Sequence, residues 1–108
     1  MRFRSNNCVA IHLKNLRKAE KFYAGALGFK LVKKTKDQLE FDTGNFRLYI
    51  NKSKKHKAPV PSFDVQDLAK ARKFLKKNGC KIVKDWDGAL YFKDPFGITY
   101  DIIEKKTA

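Results

Sequence analysis

Residues Asn15–Phe22 read NLRKAEKF, and residues Asp67–Phe74 read DLAKARKF. Shifted by 52 positions, the two stretches match at Leu16/Leu68, Lys18/Lys70, Ala19/Ala71, Lys21/Lys73 and Phe22/Phe74. The same shift lays Ile11-His12-Leu13 on Phe63-Asp64-Val65 and Leu48-Tyr49-Ile50 on Tyr100-Asp101-Ile102. Self-similarity at a fixed period marks one structural unit used twice. The rest of the chain is read outward from this repeat.

Each copy of the repeat predicts a helix. Asn15 and Asp67 are N-cap residues, whose side-chain oxygens can accept from open backbone N–H groups. After Asn15, apolar residues recur at helical spacing: Leu16, Ala19, Phe22, Tyr23, Ala26 and Leu27, with Gly28 as the stop. After Asp67 the stripe is Leu68, Ala71, Phe74 and Leu75, ending at Asn78-Gly79. Phe22 and Tyr23 are read as packing residues. Around each helix lie short β-type segments. Asn7–Lys14 predicts a strand with Val9, Ile11 and Leu13 on one face and Cys8, Ala10 and His12 on the other. Phe29–Lys34, Gln38–Asp42 and Phe46–Asn51 follow as an antiparallel meander, with Phe46, Leu48 and Ile50 turned toward the helix. Lys52–Pro61 is basic, polar and proline-bearing and reads as a linker, with His56 a solvated loop residue.

The second copy repeats the order. Val60–Val65 is a strand with Phe63 and Val65 on the helix side and Ser62 and Asp64 opposite. Lys81–Lys84 and Ala89–Lys93 flank the hairpin signal Asp87-Gly88, and Asp94-Pro95-Phe96-Gly97 is a type I turn before the closing strand Ile98–Glu104. There Tyr100 and Ile102 face the helix, and Thr99, Asp101 and Ile103 face away. The tail Lys105–Ala108 is expected to fray. The fold class is therefore α+β. Two βαβββ modules, about 1–55 and 56–108, are expected to place one helix outside each sheet and to curl their mixed sheets around a shared cleft.

Composition bounds the function. A chain of 108 residues with 43% apolar residues is one domain with a real core. No apolar run reaches the roughly 18 residues of a membrane span, and MRFRSNN lacks a signal peptide's apolar segment, so a cytoplasmic protein is expected. Cys8 and Cys80 are expected as free thiols. The net charge is +14, with +10 on residues 1–55 and +4 on residues 56–108. The lysines are spread along the chain, which suits a solubilising surface. Charge alone points to a nucleic-acid module. That reading lacks the exposed aromatics interleaved with lysines that single-strand binders use.

The pattern resembles the vicinal oxygen chelate superfamily, which includes glyoxalase I, extradiol dioxygenases and the bleomycin-resistance proteins. The residues that carry the resemblance are Asn15-Leu16, Lys21-Phe22-Tyr23 and Leu27-Gly28-Phe29, with Asp94-Pro95-Phe96-Gly97 before the last strand. In the family's metalloenzymes one side chain from each of four strands holds the metal. Placed by the helix caps and the repeat, those positions fall at Cys8, Tyr49, Val60 and Asp101. Valine cannot ligate, tyrosine is a poor ligand for the family's divalent ions, and a thiolate beside one carboxylate is a mismatched pair. The expectation is no metal, no cofactor and no catalytic residue. Cys8 and His12 share a strand face, but four residues of strand rise put them about 13 Å apart, too far for a nucleophile–base pair.

What remains is a binding face. Cys8, His12, Gln38, Glu40, Arg47, Tyr49, Asn51, Ser62, Asp64, Tyr91, Lys93, Thr99 and Asp101 all fall away from the helices and offer donors, acceptors and aromatic rings. The expected function is metal-independent binding of a small molecule, neutral or anionic, by a homodimer. A lyase, dioxygenase or transferase of the same superfamily with a divergent metal site is the alternative. Nucleic acid is not expected as a partner, nor is a membrane.

Overall fold

A computed structural model describes residues 1–105. Its elements follow the order β1 (Arg4–Leu13), α1 (Leu16–Glu20), a π-helical segment (Lys21–Ala26), β2 (Lys30–Lys34), β3 (Gln38–Asp42), β4 (Arg47–Lys52), β5 (Lys57–Val65), α2 (Leu68–Lys77), β6 (Lys81–Trp86), β7 (Ala89–Lys93) and β8 (Thr99–Glu104). The chain is α+β with mixed strand pairing. It forms two compact units: residues 7–60, and residues 1–6 together with the chain from Pro61 onward. No helix among the described residues is long and apolar enough to cross a membrane.

In the first unit the strand order is β2-β3-β4-β1. β3 pairs antiparallel with β2 and β4, and β1 runs parallel to β4 with Cys8 opposite Arg47 and Leu13 opposite Lys52. Asn15 caps α1 as its sequence predicts, accepting from Lys18 N–H at 3.0 Å. The helix then widens. Leu27 N–H donates to Phe22 C=O at 3.0 Å, five residues back, and this is the π spacing in place of the expected continuous α-helix. The wider turn rotates the stripe. Tyr23 packs on Phe29 and Phe41 with ring centroids 6.3 and 6.1 Å away, while Phe22 is turned out, 52% exposed and edge-on to Tyr23. The core is Ala19, Leu39, Phe41, Leu48 and Ile50. Phe46, expected inward, precedes β4 and is exposed instead.

In the second unit the order is β5-β8-β7-β6, with β5 parallel to β8. Asp67 caps α2 by accepting from Lys70 N–H at 3.0 Å. Leu68, Ala71 and Leu75 bury against Val65, Leu90, Phe92 and Ile102. Phe74, on the same predicted stripe, is exposed and lies 6.4 Å from Phe3. The Asp94–Gly97 turn forms as predicted: Gly97 N–H reaches Asp94 C=O at 3.0 Å, and Asp94 Oδ1 accepts from Phe96 and Ile98 N–H. Gly97 sits at φ 88°, where a Cβ would be strained.

Lys52–Pro61 is less of a linker than its composition suggests. β4 runs through Lys52 and β5 begins at Lys57, leaving 53–56 outside the strands, and His56 is exposed there. The strands β2 and β6 each carry a register shift, between Leu31 and Lys33 and between Ile82 and Lys84. Of the tail expected to fray, 106–108 lie outside the described residues.

Candidate functional site

Alternation along β1, β3 and β4 puts one apolar and one polar set on opposite faces of the first unit's strands. The apolar set meets the helical segment. The polar set falls in three cross-strand rows: Asp42, Arg47 and Cys8; Glu40, Tyr49 and Ala10; Gln38, Asn51 and His12. All of these side chains are half-buried. Several of them bond one another. Arg47 Nη1 donates to Glu40 Oε2 at 3.1 Å, Gln38 Nε2 donates to Asn51 Oδ1 at 2.8 Å, and the Tyr49 hydroxyl neighbours the Cys8 thiol. Burial, then the neighbouring Cys8 and Glu40, push the Tyr49 phenol above its ordinary pKa, with Arg47 opposing. Tyr49 is thus a neutral donor and an aromatic surface.

The polar face of the second unit's strands is built the same way. Ser62, Asp101 and Tyr91 stand in one row across β5, β8 and β7, and Thr99 is opposite Lys93 in the next. Ser62 is buried and donates to Asp101 Oδ1 at 2.5 Å. Asn6 Nδ2 donates to Ser62 Oγ at 2.7 Å and to Asp64 Oδ1 at 3.1 Å. Burial raises the Asp101 carboxyl pKa, and nearby Asp64 adds to that, while the Ser62 hydrogen bond pulls it back. Burial and then Asp101 raise the Tyr91 phenol. Lys93 is exposed beside half-buried Thr99.

Cys8, Gln38, Glu40, Arg47, Tyr49, Asn51 and His12 therefore share one face of the first unit, and Ser62, Asp64, Tyr91, Thr99, Lys93 and Asp101 share one face of the second. Three further residues belong to the second face and escape the sequence reading. Asn6 precedes the predicted start of β1 yet bridges Ser62 and Asp64. Trp86 lies past the predicted end of β6 yet meets Tyr91 edge-on at 4.5 Å, and Lys84 Nζ sits 5.1 Å from the Trp86 ring. A usable signal was present: Trp86 is the chain's one tryptophan, directly before the Asp87-Gly88 turn.

The four positions implied for a metal do not fit one. Tyr49 is a protonated phenol beside the Cys8 thiol, Val60 is a buried aliphatic chain, and Asp101 is held by Ser62. Among the described residues no three His, Cys, Asp or Glu side chains group as a metal would need. Both cysteines are free thiols. Burial, then Asp94, raises the Cys80 pKa, which favours the protonated thiol.

A sequence profile described as Glyoxalase/Bleomycin resistance protein/Dioxygenase superfamily matches residues 7–102. A search of curated proteins finds no match. Among solved structures, a variant of homoprotocatechuate 2,3-dioxygenase from Brevibacterium fuscum is similar at TM-score 0.74 and 21% identity, over 97% of this chain and 33% of that one. The substrate complex of that enzyme with 3,4-dihydroxyphenylacetate is similar at TM-score 0.75 and 21% identity, over 97% and 37%. The chain spans about a third of the length of these enzymes, and likeness at this identity concerns the fold alone.

Proposed function

The chain belongs to the glyoxalase/bleomycin resistance protein/dioxygenase superfamily, and from that premise we propose that it is a metal-independent binder of a small neutral or anionic molecule. The observation that carries this reading is the state of the four positions implied for a metal. Two are a phenol and a thiol that neighbour each other, one is a valine, and one is a carboxylate already accepting from Ser62. A divalent ion needs three or four convergent ligands, so this set leaves hydrogen bonding and stacking as its chemistry. In the first unit Tyr49 offers a ring with Arg47 and Asn51 as polar groups, and in the second Tyr91 and Trp86 offer rings with Thr99 and Asp101.

Arg47 and the +14 surface favour anions over cations. Glu40, Asp64 and Asp101 hold that preference to a modest one. The assembly we propose is a homodimer and the setting cytoplasmic. Light scattering at tens of micromolar separates a dimer from the 12.5 kDa monomer.

Two measurements test the reading. Elemental analysis of protein purified without a histidine tag, with calorimetry of added Zn²⁺, Ni²⁺ and Mn²⁺, should find no stoichiometric site. Titration with benzoate, phenol and benzamidinium, read by Trp86 fluorescence, should show the first two binding and the cation failing. A stoichiometric metal lost in Asp101→Ala would replace this reading with a metal-dependent enzyme.

A further inference from the structure

The two units repeat one piece of backbone geometry at the end of their parallel strand pair. In the first, Leu13 pairs with Lys52, Ser53 N–H donates to Leu13 C=O at 2.9 Å, and Lys52 N–H donates to Asp37 C=O at 2.8 Å. In the second, Val65 pairs with Glu104, Lys105 N–H donates to Val65 C=O at 2.8 Å, and Glu104 N–H donates to Gly88 C=O at 2.8 Å. Because the main chain is held alike in both places, the difference between them lies in the side chains.

In the second unit the position carries a carboxylate. Glu104 Oε2 accepts from Leu68 N–H at 2.8 Å, so the protein supplies its own anion there. In the first unit the same position is Lys52, and the residue matching Gln66 is Lys14. Lys14, Lys52, Ser53, Lys54 and Asp37 line an open pocket of about 560 Å³. None of the three lysines joins an ion pair among the described residues. Asp37 offsets only one of the three charges, so the lining carries a net positive charge held in place by paired backbone. Half-buried Ser53 accepts from Lys55 N–H at 3.4 Å and retains its own hydrogen to donate.

We propose that this pocket binds a small, multiply charged oxyanion, a phosphate-bearing molecule. Ammonium groups act on phosphate as point charges, and a multivalent anion relieves the repulsion among three of them at once. The ligand would supply the negative charge that Glu104 supplies in the other unit. No residue of the pocket belongs to the polar faces described above, so this site stands or falls apart from the function proposed for them.

The test is an amide NMR titration with inorganic pyrophosphate and tripolyphosphate at low and moderate salt. Saturable shifts should centre on Lys14, Asp37 and Lys52–Lys54, with tripolyphosphate the tighter ligand. Lys52→Glu should weaken binding at least tenfold. Lys76→Glu, an equal charge change on the exposed side of α2, should weaken it less than threefold. Equal losses in both variants, or shifts spread over every lysine, would overturn the proposal by showing diffuse attraction to a basic surface. Tighter binding of a short single-stranded oligonucleotide that Lys76→Glu weakens as much as Lys52→Glu would overturn it likewise.

Discussion

The Ser62 hydroxyl lies 2.5 Å from Oδ1 of Asp101, and that one contact holds down a carboxyl whose burial pushes its pKa up. Ser62→Ala removes this donor, leaves a half-buried carboxylate short of a partner and takes an acceptor from Asn6. We expect a loss of about 1–3 kcal/mol at neutral pH by urea denaturation. The Asp101 pKa should rise further, read by carboxyl NMR. An unchanged Asp101 titration would rule out the contact as described.

Asp101 also sets a pH dependence. Its folded pKa lies above the ordinary aspartate value of 3.8, so the stability it contributes is fully present below that value and is lost as pH rises through the folded pKa. Asp101→Asn keeps an oxygen for Ser62 and removes the charge. The variant should therefore gain stability relative to the natural protein as pH rises from 4 toward 7, and match it most closely at pH 3 to 4. Parallel stability curves for the two proteins would refute this.

Phe41 and Phe22 differ by burial rather than by chemistry. Phe41 is fully buried and Phe22 is half exposed. Phe41→Ala should cost about 3–5 kcal/mol, and Phe22→Ala less than about 1 kcal/mol, both by chemical denaturation. Equal costs would mean that the π-helical segment does not rotate Phe22 outward.

Two glycines with equally open surroundings should respond in opposite directions. A Cβ at Gly25 or at Gly97 meets nothing within 4 Å. Gly25 lies inside the helical segment with no positive φ, so Gly25→Ala should stabilise by about 0.5–1 kcal/mol. Gly97 sits at φ 88°, and Gly97→Ala should cost about 1–2 kcal/mol. Thermal melts of the pair check the sign.

Arg47 is bound to Glu40 on the polar face, with 40% of its side chain exposed. Arg47→Ala should change stability by no more than about 1 kcal/mol. It should weaken benzoate binding severalfold and leave phenol binding nearly unchanged. A benzoate affinity that ignores the substitution would remove Arg47 from the ligand site.

β3 and β7 were readable to the residue, Gln38–Asp42 and Ala89–Lys93, because a half-buried strand writes its two faces as alternation. The caps Asn15 and Asp67 were readable because capping is local chemistry between neighbours in sequence. The π spacing was not, since apolar residues at Phe22, Tyr23 and Ala26 satisfy an α-helical period equally well. The start of β5 was hidden by the lysines and prolines of Lys57–Pro61. Strand pairing uses backbone groups, and Pro59 and Pro61, two residues apart, remove N–H groups from one edge only. On the polar faces the membership of each row followed from alternation. Who bonds whom did not: the Asn6 bridge and the Trp86–Tyr91 contact depend on how far each strand runs.

The register shifts in β2 and β6 bear on how this protein behaves at high concentration. Each of these strands ends the strand order of its own unit. A straight end strand would offer a row of open N–H and C=O groups to any passing chain, and fibrils grow by such additions. The shift breaks that row in the middle, at Val32 in one strand and Val83 in the other. Lys30, Lys33 and Lys34 on β2, and Lys81 and Lys84 on β6, then set like charges against a second copy. The same interruption occurs once in each unit, and so in each unit this end strand is closed to strand-by-strand growth.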